Sequence, residues 1–177
     1  CYLGEKIRNA FGDGSQFGLE VDYIEEKEPL GTIGALALAD SFSKDNLLVM
    51  NSDLLTNIDF EDFYREFINQ SAAMAMATVP YKVKVPYGVL ETQQNQITSF
   101  QEKPNYVYHS NAGIYFLHKE LVSLVPKGKP FNATDLMGAL VAKGEKVISY
   151  PLRSYWLDIG RPEDFARAEE DIRHIHF

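Results

Sequence analysis

The sequence predicts an α/β protein, a doubly wound and mostly parallel sheet into which an antiparallel hairpin is inserted. Two short apolar runs, Leu47–Met50 and Ala72–Val79, lack alternation and fit strands buried on both faces. Segments of helical period separate such runs, which gives the order of βαβ units. Tyr87–Glu91 and Ile97–Gln101 alternate on either side of Gln93-Gln94-Asn95-Gln96, and this is the pattern of a hairpin.

Taken in order, Ile7, Ala10 and Phe11 share one face of an opening helix, which the turn Gly12-Asp13-Gly14 ends. Leu19–Ile24 alternates as a strand, and Gly31–Lys44 reads as a helix rich in small residues. After the Leu47–Met50 strand, Phe60, Phe63, Tyr64, Phe67 and Ile68 recur at helical spacing behind Asp59 as N-cap. The hairpin is followed by a strand over Asn111–Leu117, a short helix over Glu120–Leu124 and a helix over Asp135–Lys143 capped by Thr134. Lys146–Trp156 returns as a strand. A last helix runs from Pro162 to His174, with proline in its first turn and Arg173 and His174 in its last.

With 177 residues, 45% of them hydrophobic and 24% charged, the chain suits one domain over 1–177. A net charge of -8 excludes sequence-independent nucleic-acid binding, which needs clustered Lys and Arg. An anionic ligand must then be held by a few amides, a lysine or a bridging cation. Cys1 is the sole cysteine and has no internal disulfide partner, and no secretory leader pattern opens the chain, so the expected setting is cytoplasmic. No apolar run approaches the roughly 20 residues of a membrane-spanning helix.

Ligands of open α/β sheets bind beyond the carboxyl ends of strands, where Asp53 and Asp158 both fall. Carboxylates brought together there repel unless a cation lies between them, and hard oxygen donors select magnesium. The alternative is that each caps a loop or the following helix. Gly31-Thr32, after Leu30, would open a helix whose free N–H groups meet an anion or a base edge, or would be a plain helix start capped by Thr32. Lys103, fixed by Pro104 at a strand end, is a point charge for a phosphate, and Glu102 is an acceptor for sugar hydroxyls; the alternative is an exposed charged pair. Gly88 within a strand implies close approach of a sugar ring or another backbone. Asn111 beside Gly113 is either a hydroxyl contact or a turn former. His109, His118, His174 and His176 have no metal-ligand spacing, and no Ser-His-Asp arrangement is present.

The order of EPLGTIGAL (28–36), NSD (51–53), YGVLE (87–91), FQEKP (100–104), SNAGIYF (110–116) and YWLDIGRPEDF (155–165) resembles the sugar-1-phosphate nucleotidyltransferases, above all the mannose-1-phosphate guanylyltransferases. The resemblance covers essentially the whole chain. It implies a Rossmann-like, GT-A-like nucleotidyltransferase fold and a reaction in which a sugar-1-phosphate and a nucleoside triphosphate, GTP by preference, give an NDP-sugar and pyrophosphate. It implies Asp53 and Asp158 as ligands of a Mg2+ cofactor and, with Lys103, as catalytic residues. It implies Leu30, Gly31 and Thr32 as the nucleotide contact, and Gly88, Glu102, Lys103 and Asn111 as the sugar-phosphate contact. A homo-oligomer is compatible with it, and heptose or amino-sugar phosphates are alternative substrates.

The family's Gly-rich G-x-G-T-R loop, and the lysine that follows it, do not occur in this sequence. The expectation is therefore a piece of a longer enzyme that lacks the phosphate-loop portion, exposes sheet surface and is of marginal stability. A non-catalytic nucleotide or sugar-phosphate sensing subunit is the competing reading. A glycosyltransferase is disfavoured because Asn51-Ser52-Asp53 lacks the first aspartate of Asp-x-Asp.

Overall fold

A computed structural model describes residues 3–176; the sole cysteine, Cys1, lies outside the described residues. The elements are α1 (Gly4–Phe11), β1 (Asn46–Met50), β2 (Leu54–Thr56), α2 (Phe60–Asn69), β3 (Met74–Lys84), β4 (Val89–Gln93), β5 (Gln96–Gln101), β6 (Asn105–His118), α3 (Ala133–Ala142), β7 (Val147–Pro151), β8 (Trp156–Asp158) and α4 (Pro162–Asp171). Short 3-10 turns occupy Ser15–Phe17, Gly34–Leu38 and Lys119–Leu124. One sheet has the order β1-β6-β3-β7, and two-stranded ladders join β2 to β8 and β4 to β5.

The sheet is mixed. Ala73 donates to the Lys146 carbonyl and Leu152 to that of Thr78, so β3 and β7 run parallel. Asn51 donates to Gly113 and Lys119 to Asp45, so β1 and β6 run antiparallel. The α/β class and the inserted hairpin agree with the sequence reading. Its turn residues Gln94 and Asn95 have φ of 48° and 66°, the left-handed pair of a two-residue hairpin whose twist matches its strands.

The chain groups into two compact units. The first holds the described residues up to Val49, with Ser71–Met74 and Phe116–Val147. Its buried side chains include Leu30, Ile33, Leu117, Leu136 and Leu140. Here the sequence reading needs correction. Leu19–Ile24 lies in no strand, and Gly31–Lys44 forms only the Gly34–Leu38 turn. Alternation records an extended chain but not a pairing partner. Ile7 and Phe11 on α1 stay about half exposed, at 49% and 48%.

The second unit holds Met50–Gln70, Ala75–Tyr115 and the described residues from Ile148 onward. Helix α2 forms as expected: the Asp59 carboxylate accepts from the Asp62 N–H at 2.9 Å, and Phe63 and Phe67 are fully buried. Each such ring contributes about 2 to 3 kcal/mol of burial. Phe63 stacks on Tyr150 of β7 with centroids 4.6 Å apart, and the Tyr150 hydroxyl donates to Asp62 at 2.8 Å. Burial, aided by the Asp62 charge, pushes the Tyr150 hydroxyl up to about 12, while its hydrogen bond holds the Asp62 carboxyl below the usual range.

β3 is buried over Met74–Thr78, as the apolar run implies. β1 departs from expectation: it alternates, with Leu48 and Met50 at 43% and 42% exposure. It is the terminal strand of the sheet order, and Leu48 and Met50 on one of its faces are open to solvent. The expected strand over 146–156 also breaks at Leu152–Tyr155, and its end becomes β8 in a different ladder.

Candidate active site

β2 and β8 pair antiparallel, with Leu54 opposite Asp158 and Thr56 opposite Trp156. The Ile159 N–H then donates to the Asp53 carbonyl oxygen at 2.8 Å, which extends the ladder by one step. Asp53 and Asp158 are thereby one register step apart at the open end of the ladder, and both are exposed. A side chain at position 160 would begin 3.6 Å from Asp158 Oδ1, so Gly160 leaves the approach to that carboxylate clear.

Asn57 and Thr56 hold the start of β8. Asn57 Oδ1 accepts from the Tyr155 N–H at 2.8 Å, and the Thr56 hydroxyl donates to the Tyr155 carbonyl at 2.7 Å. The Tyr155 hydroxyl donates to Asp171 of α4, and burial together with that carboxylate pushes it up to about 12. The Asn57 and Thr56 supports of β8 are not visible in the sequence, because each depends on pairing across about a hundred residues.

Asn111 lies inside β6 rather than at a strand start. Its Oδ1 accepts from the Gly113 N–H at 2.9 Å, and its Nδ2 donates to the Tyr115 hydroxyl at 2.7 Å. The side-chain amide retains one N–H and one lone pair for a ligand hydroxyl. Asn111 thus braces the backbone of β6 at Gly113.

Gly88 precedes β4 rather than lying within it. What comes close to it is a side chain: a Cβ there would sit 2.7 Å from Phe100 Cε2 and 3.3 Å from Glu102 Oε2. Glu102 and Lys103 form the bend after β5, with Lys103 Nζ 4.0 Å from Glu102 Oε1 and both side chains exposed. Lys103 adopts φ 44°, a left-handed backbone that costs a non-glycine residue about 1 kcal/mol or more. Gly88, Glu102 and Lys103 therefore share one end of the β4–β5 hairpin.

In the first unit, Leu30, Gly31 and Thr32 pack onto the start of α3. Gly31 has φ 77°, and a Cβ there would meet Asn132 Oδ1 at 2.7 Å. The Thr32 N–H donates to Asn132 Oδ1 at 3.2 Å, and Thr32 Oγ1 accepts from the Ala133 N–H at 2.9 Å. Thr32 thus caps α3 and not a helix of its own, and its amide is already paired.

No cluster of three or more His, Cys, Asp and Glu side chains suited to a metal occurs among the described residues. Two exposed carboxylates suit a hard cation that keeps waters and takes the rest of its ligands from phosphate, and so the donor set fits magnesium. No helix among the described residues is long and apolar enough to cross a membrane.

The family profile described as Nucleotidyl transferase matches residues 2–175. The chain is 32% identical over 171 residues to a mannose-1-phosphate guanylyltransferase of Mycobacterium tuberculosis, covering 92% of this chain and 47% of that protein. It is 28% identical over 178 residues to the D-glycero-alpha-D-manno-heptose 1-phosphate guanylyltransferase of Aneurinibacillus thermoaerophilus, covering 98% of this chain and 76% of that one. The solved structure of HddC from Yersinia pseudotuberculosis, known also in complex with GMP-PN, superposes with a TM-score of 0.69 at 26% identity over 97% of this chain and 75% of HddC. The chain spans about half the length of most of the curated relatives it matches. On the family match and the fold together, the chain belongs to the nucleotidyl transferase family, beside relatives named for sugar-1-phosphate substrates.

Proposed function

We propose that this chain carries the sugar-phosphate and metal-binding part of an enzyme that condenses a sugar-1-phosphate with a nucleoside triphosphate, GTP by preference. The observation that carries the reading is the adjacency of Asp53 and Asp158 at the end of the β2–β8 ladder. In the reaction an oxygen of the sugar phosphate attacks the α-phosphorus, the bond from that phosphorus to the β-phosphate bridging oxygen breaks, and pyrophosphate leaves. Such a transfer calls for alignment and charge neutralisation more than for covalent participation of the protein.

Asp53 and Asp158 would hold Mg2+. The bound ion supplies positive charge against the phosphate oxygens, which an acidic chain otherwise lacks. Lys103 would give a second positive charge to the sugar phosphate, with Glu102 and Asn111 orienting sugar hydroxyls and Gly88 leaving room for the ring. Leu30, Gly31 and Thr32 would contact the nucleotide. Guanine and mannose-1-phosphate are preferred because the curated relatives are named for them, and a manno-heptose 1-phosphate is the nearest alternative.

The test is pyrophosphate release with magnesium, using the chain in its full natural sequence context, across GTP, CTP, UTP, dTTP and ATP with a panel of sugar-1-phosphates. Release that needs one nucleotide and one sugar phosphate supports the reading and names both substrates. Silence from a folded protein that still binds nucleotide would overturn it in favour of a sensing subunit.

A further inference from the structure

The Ala112–Gly113 segment of β6 anchors both segments that end in a candidate metal carboxylate. The Asn51 N–H donates to the Gly113 carbonyl at 2.9 Å, and the Trp156 indole N–H donates to the Ala112 carbonyl at 2.9 Å. Asn51 precedes Asp53 by two residues, and Trp156 precedes Asp158 by two. The Ile159 to Asp53 hydrogen bond closes the loop at its far side.

This segment of β6 is firmly set. Ala112 and Gly113 are buried, Gly113 has φ 74°, and a Cβ on it would stand 2.8 Å from Asn51 Nδ2. Only glycine lets Asn51 approach this closely at that φ. Two residues of chain reach at most about 7 Å, so each carboxylate has little slack relative to its anchor. Like charges left unbraced would splay apart before a cation bound.

We propose that the Ala112–Gly113 segment of β6 is the positioning element that sets the spacing of the Asp53 and Asp158 carboxylates, so that Trp156 and Gly113 tune metal affinity without touching the metal. This rests on the reading of those aspartates given above. It also ties the metal pair to Asn111, the neighbouring residue proposed to hold the sugar.

The test is Mn2+ binding to the full chain, followed by the paramagnetic resonance of free Mn2+, for wild type, Trp156→Phe, Gly113→Ala and the control Tyr150→Phe. Trp156→Phe removes the indole donor together with the second ring and keeps one aromatic ring; Tyr150→Phe removes a comparable hydrogen bond elsewhere in the same unit. Trp156→Phe and Gly113→Ala are expected to bind Mn2+ about tenfold or more weakly, as variants of residues that orient metal ligands commonly do, with Tyr150→Phe unchanged. If Gly113→Ala does not fold, Trp156→Phe alone decides. Wild-type affinity in Trp156→Phe, or equal weakening in Tyr150→Phe, overturns the positioning role and leaves the metal reading standing. Absence of Mn2+ binding to the folded wild type removes the metal reading itself, and the positioning role with it.

Discussion

The Ile159 amide donates to the Asp53 carbonyl at 2.8 Å, so the residue that follows one candidate metal carboxylate is fastened to the backbone of the other. The backbone segments carrying the two carboxylates are tied by a hydrogen bond at the end of the ladder. Removing either charge should therefore alter chemistry while the ladder, made of backbone hydrogen bonds, persists.

Lys103 allows charge and backbone to be separated. Lys103→Ala should lose about 2 to 4 kcal/mol of transition-state stabilisation, the scale of one preorganised donor. Lys103→Gly should lose the same activity with its unfolding free energy within about 1 kcal/mol of wild type, because relief of the left-handed strain offsets the entropy of glycine. Steady-state kinetics beside denaturant melts check both. An unchanged rate in both variants would mean that the ammonium group serves only solvent and Glu102.

Gly88→Ala should raise the KM for sugar phosphate more than it lowers kcat. The new methyl group would meet the Phe100 ring and the Glu102 carboxylate, and Phe100 is 59% exposed and free to swing away. The fold should survive, because the clash is with the far end of a side chain. A rise in KM with an unaltered thermal midpoint is the expected pair of results.

Thr32→Val should destabilise the first unit by about 1 kcal/mol. It removes the hydroxyl oxygen that accepts from Ala133, a residue only 1% exposed at the start of α3, and the stranded N–H finds no water there. Hydrogen exchange of the first turn of α3 reads this out. Unchanged protection would show that the cap contributes little.

Alkaline pH should weaken the second unit. The hydroxyls of Tyr150 and Tyr155 have folded values near 12 against an ordinary 10.0. Their contribution is complete below pH 10.0 and is lost as pH rises through about 12. The thermal midpoint of Tyr150→Phe/Tyr155→Phe should fall less steeply over that window than that of the wild type. Parallel curves would mean that other groups govern alkaline unfolding.

The parts legible in the sequence were those with strong local chemistry. Helix α2 followed from Phe63, Phe67 and the Asp59 cap, and the hairpin from its alternation. The carboxylates were legible as charges that interrupt apolar strand ends. Their pairing through β2 and β8 was not, because a three-residue strand carries too little pattern to name its partner. The region 31–44 misled for the opposite reason: its small residues suit a helix, yet Gly31 and Thr32 are committed to α3 about a hundred residues away.

The most direct test of the central claim compares magnesium-dependent pyrophosphate release, with the preferred nucleotide and sugar phosphate, in wild type, Asp53→Asn and Asp158→Asn, each with its circular dichroism and thermal midpoint. The account predicts near-complete loss of turnover in both variants with the wild-type spectrum and midpoint retained. Near-normal magnesium-dependent turnover in either folded variant would contradict it.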